Sequence, residues 1–464
     1  MIRFGAFMAL VLLAFSPLSM VANIRLPAIF GDNMVLQQNS RVRIWGWGDP
    51  GEKVFITSGW SPHADSVVVN SDGKWEVRIQ APPAGGPWNL TLKGWNTIQL
   101  KNLMSGEVWL CSGQSNMEWS TNNKNKQILD ELPNSANDQI RLFHIPRTTA
   151  ETPQDNCEGE WMVCGPETLK GFSAVGYFFG KQLQEKLGVP VGLVMSAWGG
   201  TPVEPWTPAA VIENNRVMKQ WAEVLRPNPW GPHRPGVIFN GMIAPVIKFD
   251  FAGVIWYQGE SNTGTYQGYS TTFTGMIGSW REMAQKNLPF YYVQIAPYAY
   301  SGVNTGALLQ EQQTRTLGLG NTGMVVITDL VDDVKNIHPE NKKDVSLRLA
   351  NLALAKTYHL PLTGYQSPIF QRMEIRKNEI SLYFDHAEDG LVIKGKTATE
   401  FFIAGEDKVF QPAEVKVVGN KIIVKNKKIP QPVAVRYGFG NTSIGNVFSK
   451  SGLPVTPFRT DNWE

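Results

Sequence analysis

Cysteine is scarce, with 3 in 464 residues. Cys111, Cys157 and Cys164 form no zinc-ligand spacing, so neither a structural zinc site nor any other bound metal is expected. Cys157 and Cys164 lie in one loop and can pair in an oxidising compartment, while Cys111 sits in an apolar run and reads as buried. An excess of one charge is also lacking. Lys and Arg number 43 against 40 Asp and Glu, with no basic block and no acidic tail, which argues against a nucleic-acid partner. Apolar runs are short throughout. The longest, Phe4 to Phe15, follows Arg3 and precedes small residues near Ala22, and it is too short to span a bilayer comfortably. This is a secretory signal pattern over 1–22. The mature chain is therefore expected to be exported, periplasmic or extracellular, with no membrane insertion after cleavage. No Cys near the cleavage point offers a lipid anchor. The G-x-S-x-G turn of α/β-hydrolases is missing, because Met117 replaces its second Gly. "GLGNTG", 318–323, precedes a strand instead of following one, so it reads as a turn and no cofactor is expected.

Tryptophan, by contrast, is abundant at 16 residues. A flat ring stacks on the apolar face of a sugar, although most of these Trp are expected in the core. The length calls for two or three domains. Residues 23–105 show short alternating runs broken by Gly, Pro and Asn-Ser-Asp-Gly turns, the pattern of a β-sandwich region. Residues 106–362 change character. Continuous apolar strands ("EVWLC", "PVGLVMS", "FAGVIWY", "LPFYYVQIAP", "GMVVITDL") alternate with amphipathic helices. "AVGYFFGKQLQEKLG" puts Val175, Phe179, Leu183 and Leu187 on one face. "TTFTGMIGSWREMAQK" turns Phe273, Met276, Ile277, Trp280 and Ala284 inward, and "PENKKDVSLRLANLALAKTYH" reads as a helix with Pro339 at its first position. Five such strands predict a flavodoxin-like three-layer α/β domain with a parallel sheet. Residues 363–464 return to β, either as a separate sandwich or sharing a sheet with the N-terminal region.

"LCSGQSNMEW" places Ser115 just past the carboxyl end of "EVWLC". Ligands of open α/β sheets bind outside those ends. "SAWGGTPVEPW", "YQGESN" and "NIHPEN" follow other strands of the same sheet, so topology brings Ser115, a Gly-Gly turn, Glu260 and His338 to one edge. A serine hydroxyl needs a neutral imidazole to take its proton, a carboxylate to orient that imidazole, and N–H donors for the oxyanion. Each residue also has a plainer role: Ser115 bending the chain, His338 capping the next helix, Glu260 holding a loop, Trp206 and Trp256 in the core.

"CSGQSNMEW", "SAWGGTPVEPW", "VIWYQGESN" and "IHPENK", in this order, resemble the blocks of the SGNH hydrolases, and specifically the sialate O-acetylesterase family. The likeness extends to "LPAIFGDNMVLQ" and the β tail. It implies a secreted esterase removing O-acetyl groups from sialic acids or related sugars through an acyl-enzyme. In that resemblance Ser115 corresponds to the nucleophile, His338 to the base, and Gly199 to an oxyanion donor, with Gln258 where many relatives carry an oxyanion Asn. Trp198 and Asn262 are expected at the sugar. The superfamily's Asp three residues before the histidine is replaced by Lys335, so Glu260 is the expected carboxylate partner, with Asp333 second. An acetylxylan or hemicellulose deacetylase, or a non-catalytic carbohydrate-binding protein, are the alternatives. A sialate pocket needs a cation, for which Arg234 and Arg281 are available.

Overall fold

The computed structural model describes residues 23–463. The expected signal segment, 1–22, lies outside them. The chain is a mixed α/β protein built on one long strand, β1 (Thr97–Gly113). Its first half alternates between exposed and buried residues, and its second half is buried throughout. The change follows its partners. Up to Ser105 it pairs antiparallel with strand Gly85–Lys93, in a sheet with one wet face. From Glu107 onward it lies inside a parallel sheet covered on both sides. The border expected at residues 105/106 therefore falls within a single continuous strand.

The other strands of the inner sheet are β2 (Asn137–His144), β3 (Trp161–Cys164), β4 (Val191–Ala197), β5 (Gly253–Tyr257), β6 (Phe290–Val293) and β7 (Thr322–Val325). Their order is β7-β6-β5-β1-β4-β2-β3. All neighbours are parallel except the β2–β3 pair. The five strands anticipated from sequence, β1, β4, β5, β6 and β7, take the order 2-1-3-4-5, which is the flavodoxin-like arrangement. The expectation of a purely parallel sheet is corrected by β3, which closes the β2 edge as a hairpin partner.

Helices cover both faces. On one lies α3 (Tyr266–Ala284), with Phe273, Met276, Ile277 and Trp280 buried as anticipated and Ala284 half-buried. The same core takes in Ile44, Trp75 and Leu90 of the N-terminal β region, so the two regions share one interior. On the other face lie α2 (Ala174–Leu187) and α5 (Lys342–Lys356). Helix α5 starts three residues after Pro339. Asn341 is its cap, its side chain accepting from Asp344 N at 3.0 Å, so His338 sits in the preceding loop and not at the helix start. Helix α4 (Thr305–Thr316) packs on α3. Residues from Ile369 onward form two four-stranded sheets and a short ladder around their own core of Ile380, Leu382, Ile403, Ile422 and Tyr437. Among the described residues they share no sheet with the N-terminal region. The three cysteines are free thiols, so Cys157 and Cys164 are not paired.

Candidate active site

Strand β1 ends at Gly113, where φ is +139° and a side chain would stand 2.2 Å from the Tyr257 carbonyl oxygen. Only glycine lets β1 and β5 run this close while the chain turns out of the sheet. The next residues form a one-turn helix, α1 (Ser115–Glu118) by position, whose Met117 and Glu118 N–H groups both bond to the Gln114 carbonyl. Ser115 thus stands at the sheet's carboxyl edge, and its own N–H, the first of a helix, has no intrahelical acceptor. The Gln114 side chain faces the turn after β5, its oxygen accepting from Gly259 N and Ser261 N at 3.3 and 3.4 Å.

His338 arrives from the loop before α5, held by its N–H to Asn336 Oδ1 at 3.0 Å. Its Nε2 is 2.8 Å from Ser115 Oγ. The ring stacks on Trp119, with centroids 4.8 Å apart and planes 24° from parallel. Burial first, and then the Lys342 cation, pull the imidazole pKa down to about 4. The ring is therefore a neutral base at pH 7.

A buried polar chain lies beneath. Lys342 Nζ donates to Asn116 Oδ1 at 2.5 Å, while Asn116 Nδ2 donates to Glu260 Oε1 at 2.6 Å and to the Ile337 carbonyl at 3.1 Å. Only this amide orientation works, because an ammonium only donates and a carboxylate only accepts. Asn116 thereby ties the strand-end turn after β1 to the turn after β5 and to the residue preceding the histidine. Burial lowers Lys342 to about 7, with Glu260 and Glu340 pulling it upward, and raises the Glu260 carboxyl. Glu260 Oε2 is buried without a hydrogen-bond partner.

The anticipated residues separate into two groups. Ser115, His338, Gly199 and Glu260 line one cleft of about 630 Å³. Glu260 reaches it bonded to Asn116, and Asp333 is exposed, its Oδ1 accepting from Lys335 N. Among the described residues no carboxylate hydrogen-bonds the imidazole. Gly199 N–H points to Glu118 Oε2 at 3.0 Å, and a side chain at Gly199 would touch Ser115 Cβ at 3.2 Å. Trp198 is beside the cleft, donating Nε1 to the Trp230 carbonyl and lying under Arg147.

Gln258 and Asn262 are turned inward. The Gln258 amide donates to Thr201 O and Asn262 Oδ1, and its oxygen accepts from Tyr269. Asn262 joins Val203 N and the buried Glu204, whose carboxyl burial raises to about 7. These two side chains brace the loops after β4 and β5 and are not brought to Ser115. Arg234 pairs with Glu151 on the surface, and Arg281 donates to the carbonyls of Leu288, Gly320 and Asn321, so neither lines the cleft. Arg147, Glu118, Trp119, Trp230 and Tyr298 do line it. Glu118 and Trp119 were within reach of the sequence, three and four residues after Ser115. Arg147, Trp230 and Tyr298 come from distant loops with no motif around them. Among the described residues no three His, Cys, Asp or Glu cluster as metal ligands do.

A serine hydroxyl on an imidazole, in an open cleft with tryptophans at its wall, suits ester hydrolysis on a sugar, and carbohydrate esterase is the class to which the family match assigns this protein. The family model "carbohydrate esterase, sialic acid-specific acetylesterase" matches residues 105–355. The chain belongs to this family. It is 31% identical to the sialate O-acetylesterase of Homo sapiens, covering 76% of this chain and 74% of that one. The sialate O-acetylesterase of Mus musculus is 27% identical, covering 99% and 98%. The solved structure of a carbohydrate acetylesterase from Xanthomonas citri superposes with a TM-score of 0.86 at 35% identity, covering 95% of this chain and all of that one.

Proposed function

We propose that this protein is an exported serine esterase of SGNH hydrolase type that removes O-acetyl groups from sialic acid or a related sugar. Ser115 Oγ attacks the acetyl carbonyl carbon as its proton passes to His338 Nε2. The carbon–oxygen bond to the sugar then breaks, the imidazolium returns the proton to the departing sugar oxygen, and the acetyl group remains on Ser115. Water, deprotonated by the same imidazole, releases acetate. The Ser115 N–H faces the oxyanion, joined by the Gly199 N–H once Glu118 Oε2, which it bonds at rest, moves away. Glu260 acts on the histidine through Asn116 and the Ile337 carbonyl, which hold the 337–338 segment in place. The exposed Trp230 at the cleft wall, beside Trp198, offers its ring to the sugar.

The observation that carries this reading is the 2.8 Å contact between His338 Nε2 and Ser115 Oγ. The kinship to sialate O-acetylesterases supports the substrate class, and the leader pattern over 1–22 supports export to the periplasm or the medium. Labelling tests the nucleophile. An organophosphonate ester should add once per chain, on the peptide carrying Ser115, and abolish hydrolysis of p-nitrophenyl acetate. An adduct on another residue, with Ser115 unmodified in the inactivated enzyme, would refute it.

A further inference from the structure

Arg147 is the one Lys or Arg lining the cleft among the described residues, and Glu118 occupies it. The guanidinium grips both carboxylate oxygens, Nε to Oε1 at 2.7 Å and Nη2 to Oε2 at 2.6 Å. The same Oε2 accepts the Gly199 N–H at 3.0 Å. A carboxylate therefore rests on the backbone N–H of Gly199, a residue so near Ser115 that a side chain on it would stand 3.2 Å from the Ser115 Cβ. That arrangement suits the resting enzyme and opposes the reaction, since a developing oxyanion at Ser115 meets a fixed negative charge and a donor already in use. The pair is also easy to exchange. The Arg147 side chain is 49% exposed and Glu118 20%, and an ion pair open to solvent on one side contributes little net stability, so a substrate carboxylate held in the cleft by its sugar can displace Glu118. The planar fork of arginine accepts any carboxylate in the same bidentate way.

We propose that Arg147 is the receptor for a carboxylate on the substrate, and that Glu118 is its resident stand-in. An acidic sugar takes over the guanidinium, Glu118 leaves, and the Gly199 N–H is freed for the oxyanion. Recognition of an anionic sugar and opening of the oxyanion donor are thus one event. A neutral acetylated sugar must break the Glu118 contacts without replacing them. This inference rests on the Ser115 esterase reading and gives that site its preference for anionic over neutral sugars.

The test uses inhibition of p-nitrophenyl acetate hydrolysis by N-acetylneuraminic acid and by its methyl ester, which differ in the carboxylate alone. The wild-type enzyme should bind the acid about tenfold or more tightly than the ester, and Arg147→Gln should reduce that ratio to near one. Glu118→Ala should raise kcat/KM for p-nitrophenyl acetate severalfold, with melting temperature compared for both variants. Equal inhibition by acid and ester in the wild type, an acid preference retained in Arg147→Gln, or slower hydrolysis by a folded Glu118→Ala enzyme would each overturn the proposal. Such results would leave the serine mechanism standing, because that mechanism is read separately from hydrolysis by the wild type and its loss in Ser115→Ala.

Discussion

His338 carries two demands that pull against each other. It must accept a proton from Ser115, yet no carboxylate bonds its ring in this structure. Neutrality is kept by burial first and then by the Lys342 charge. A group with a lowered pKa loses its neutral form only when pH falls below that value. The acid limb of kcat/KM should therefore lie well under the 6.5 of a free imidazole, toward about 4, and activity should persist through mildly acidic pH. Lys342→Met removes the second cause but leaves burial, so the limb should move upward by a fraction of the difference, read from a pH–rate profile. An unmoved limb would assign Lys342 a purely structural part. The sequence motifs located Ser115, His338 and Glu260 correctly at one edge. They said nothing of the amide between Lys342 and Glu260, because Asn116, Glu260 and Lys342 are 144 and 82 residues apart along the chain and meet only through the sheet order. Gln258 and Asn262 were misjudged as site residues for a related reason. Their block is correctly placed, but the turn after β5 runs straight into a 3₁₀ helix from Glu260, and both amides are spent on the loop after β4, Gln258 on the Thr201 carbonyl and Asn262 on Val203 N and Glu204.

Among elements, α5 shows how tertiary contact overrides a local start signal. Pro339 and Asn341 are both good helix-start residues. The segment before Asn341 is held out of the helix because Asn116 bonds the Ile337 carbonyl and Asn125 bonds the Glu340 carbonyl at 2.8 Å. That detachment is what lets His338 reach Ser115. Asn341→Ala removes the cap to Asp344 N and should cost about 1 kcal/mol in denaturant unfolding. A loss below a few tenths would show that the packed face of α5 suffices. The apolar strands were legible because each is buried on both faces within a longer apolar run, whereas β2 carries polar residues in its first half and the apolar Trp161–Cys164 of β3 is cut off at four residues by Glu160 and Gly165.

At the scale of the whole molecule, the catalytic sheet does not stand apart from its flanks. β1 belongs to two sheets, and the core under α3 continues into Ile44, Trp75 and Leu90. A chain cut to residues 106–362 should therefore lack a cooperative thermal transition, while one that melts sharply near the full-length temperature would contradict the shared interior. The C-terminal region also bears on the cleft. Asn441 bonds Gly306 N at 2.8 Å and the carbonyls of Tyr300 and Gly302, and its own carbonyl accepts from Tyr298 N, the residue at the cleft wall. Asn441→Ala should raise KM more than it lowers kcat, through a loosened Tyr298. The alternation of short strands identified both flanking regions in the sequence, but no periodicity marks how they attach, the N-terminal one through a shared strand and core and the C-terminal one through Asn441.

The account depends most on Ser115 being the atom that takes the acetyl group. Turnover of Ser115→Ala on an O-acetylated sialic acid, with melting temperature measured on the same preparation, addresses this directly. A fall of about 10^6-fold in kcat at unchanged melting temperature is the expected result. Turnover within tenfold of the wild type, in a protein equally stable, would contradict it.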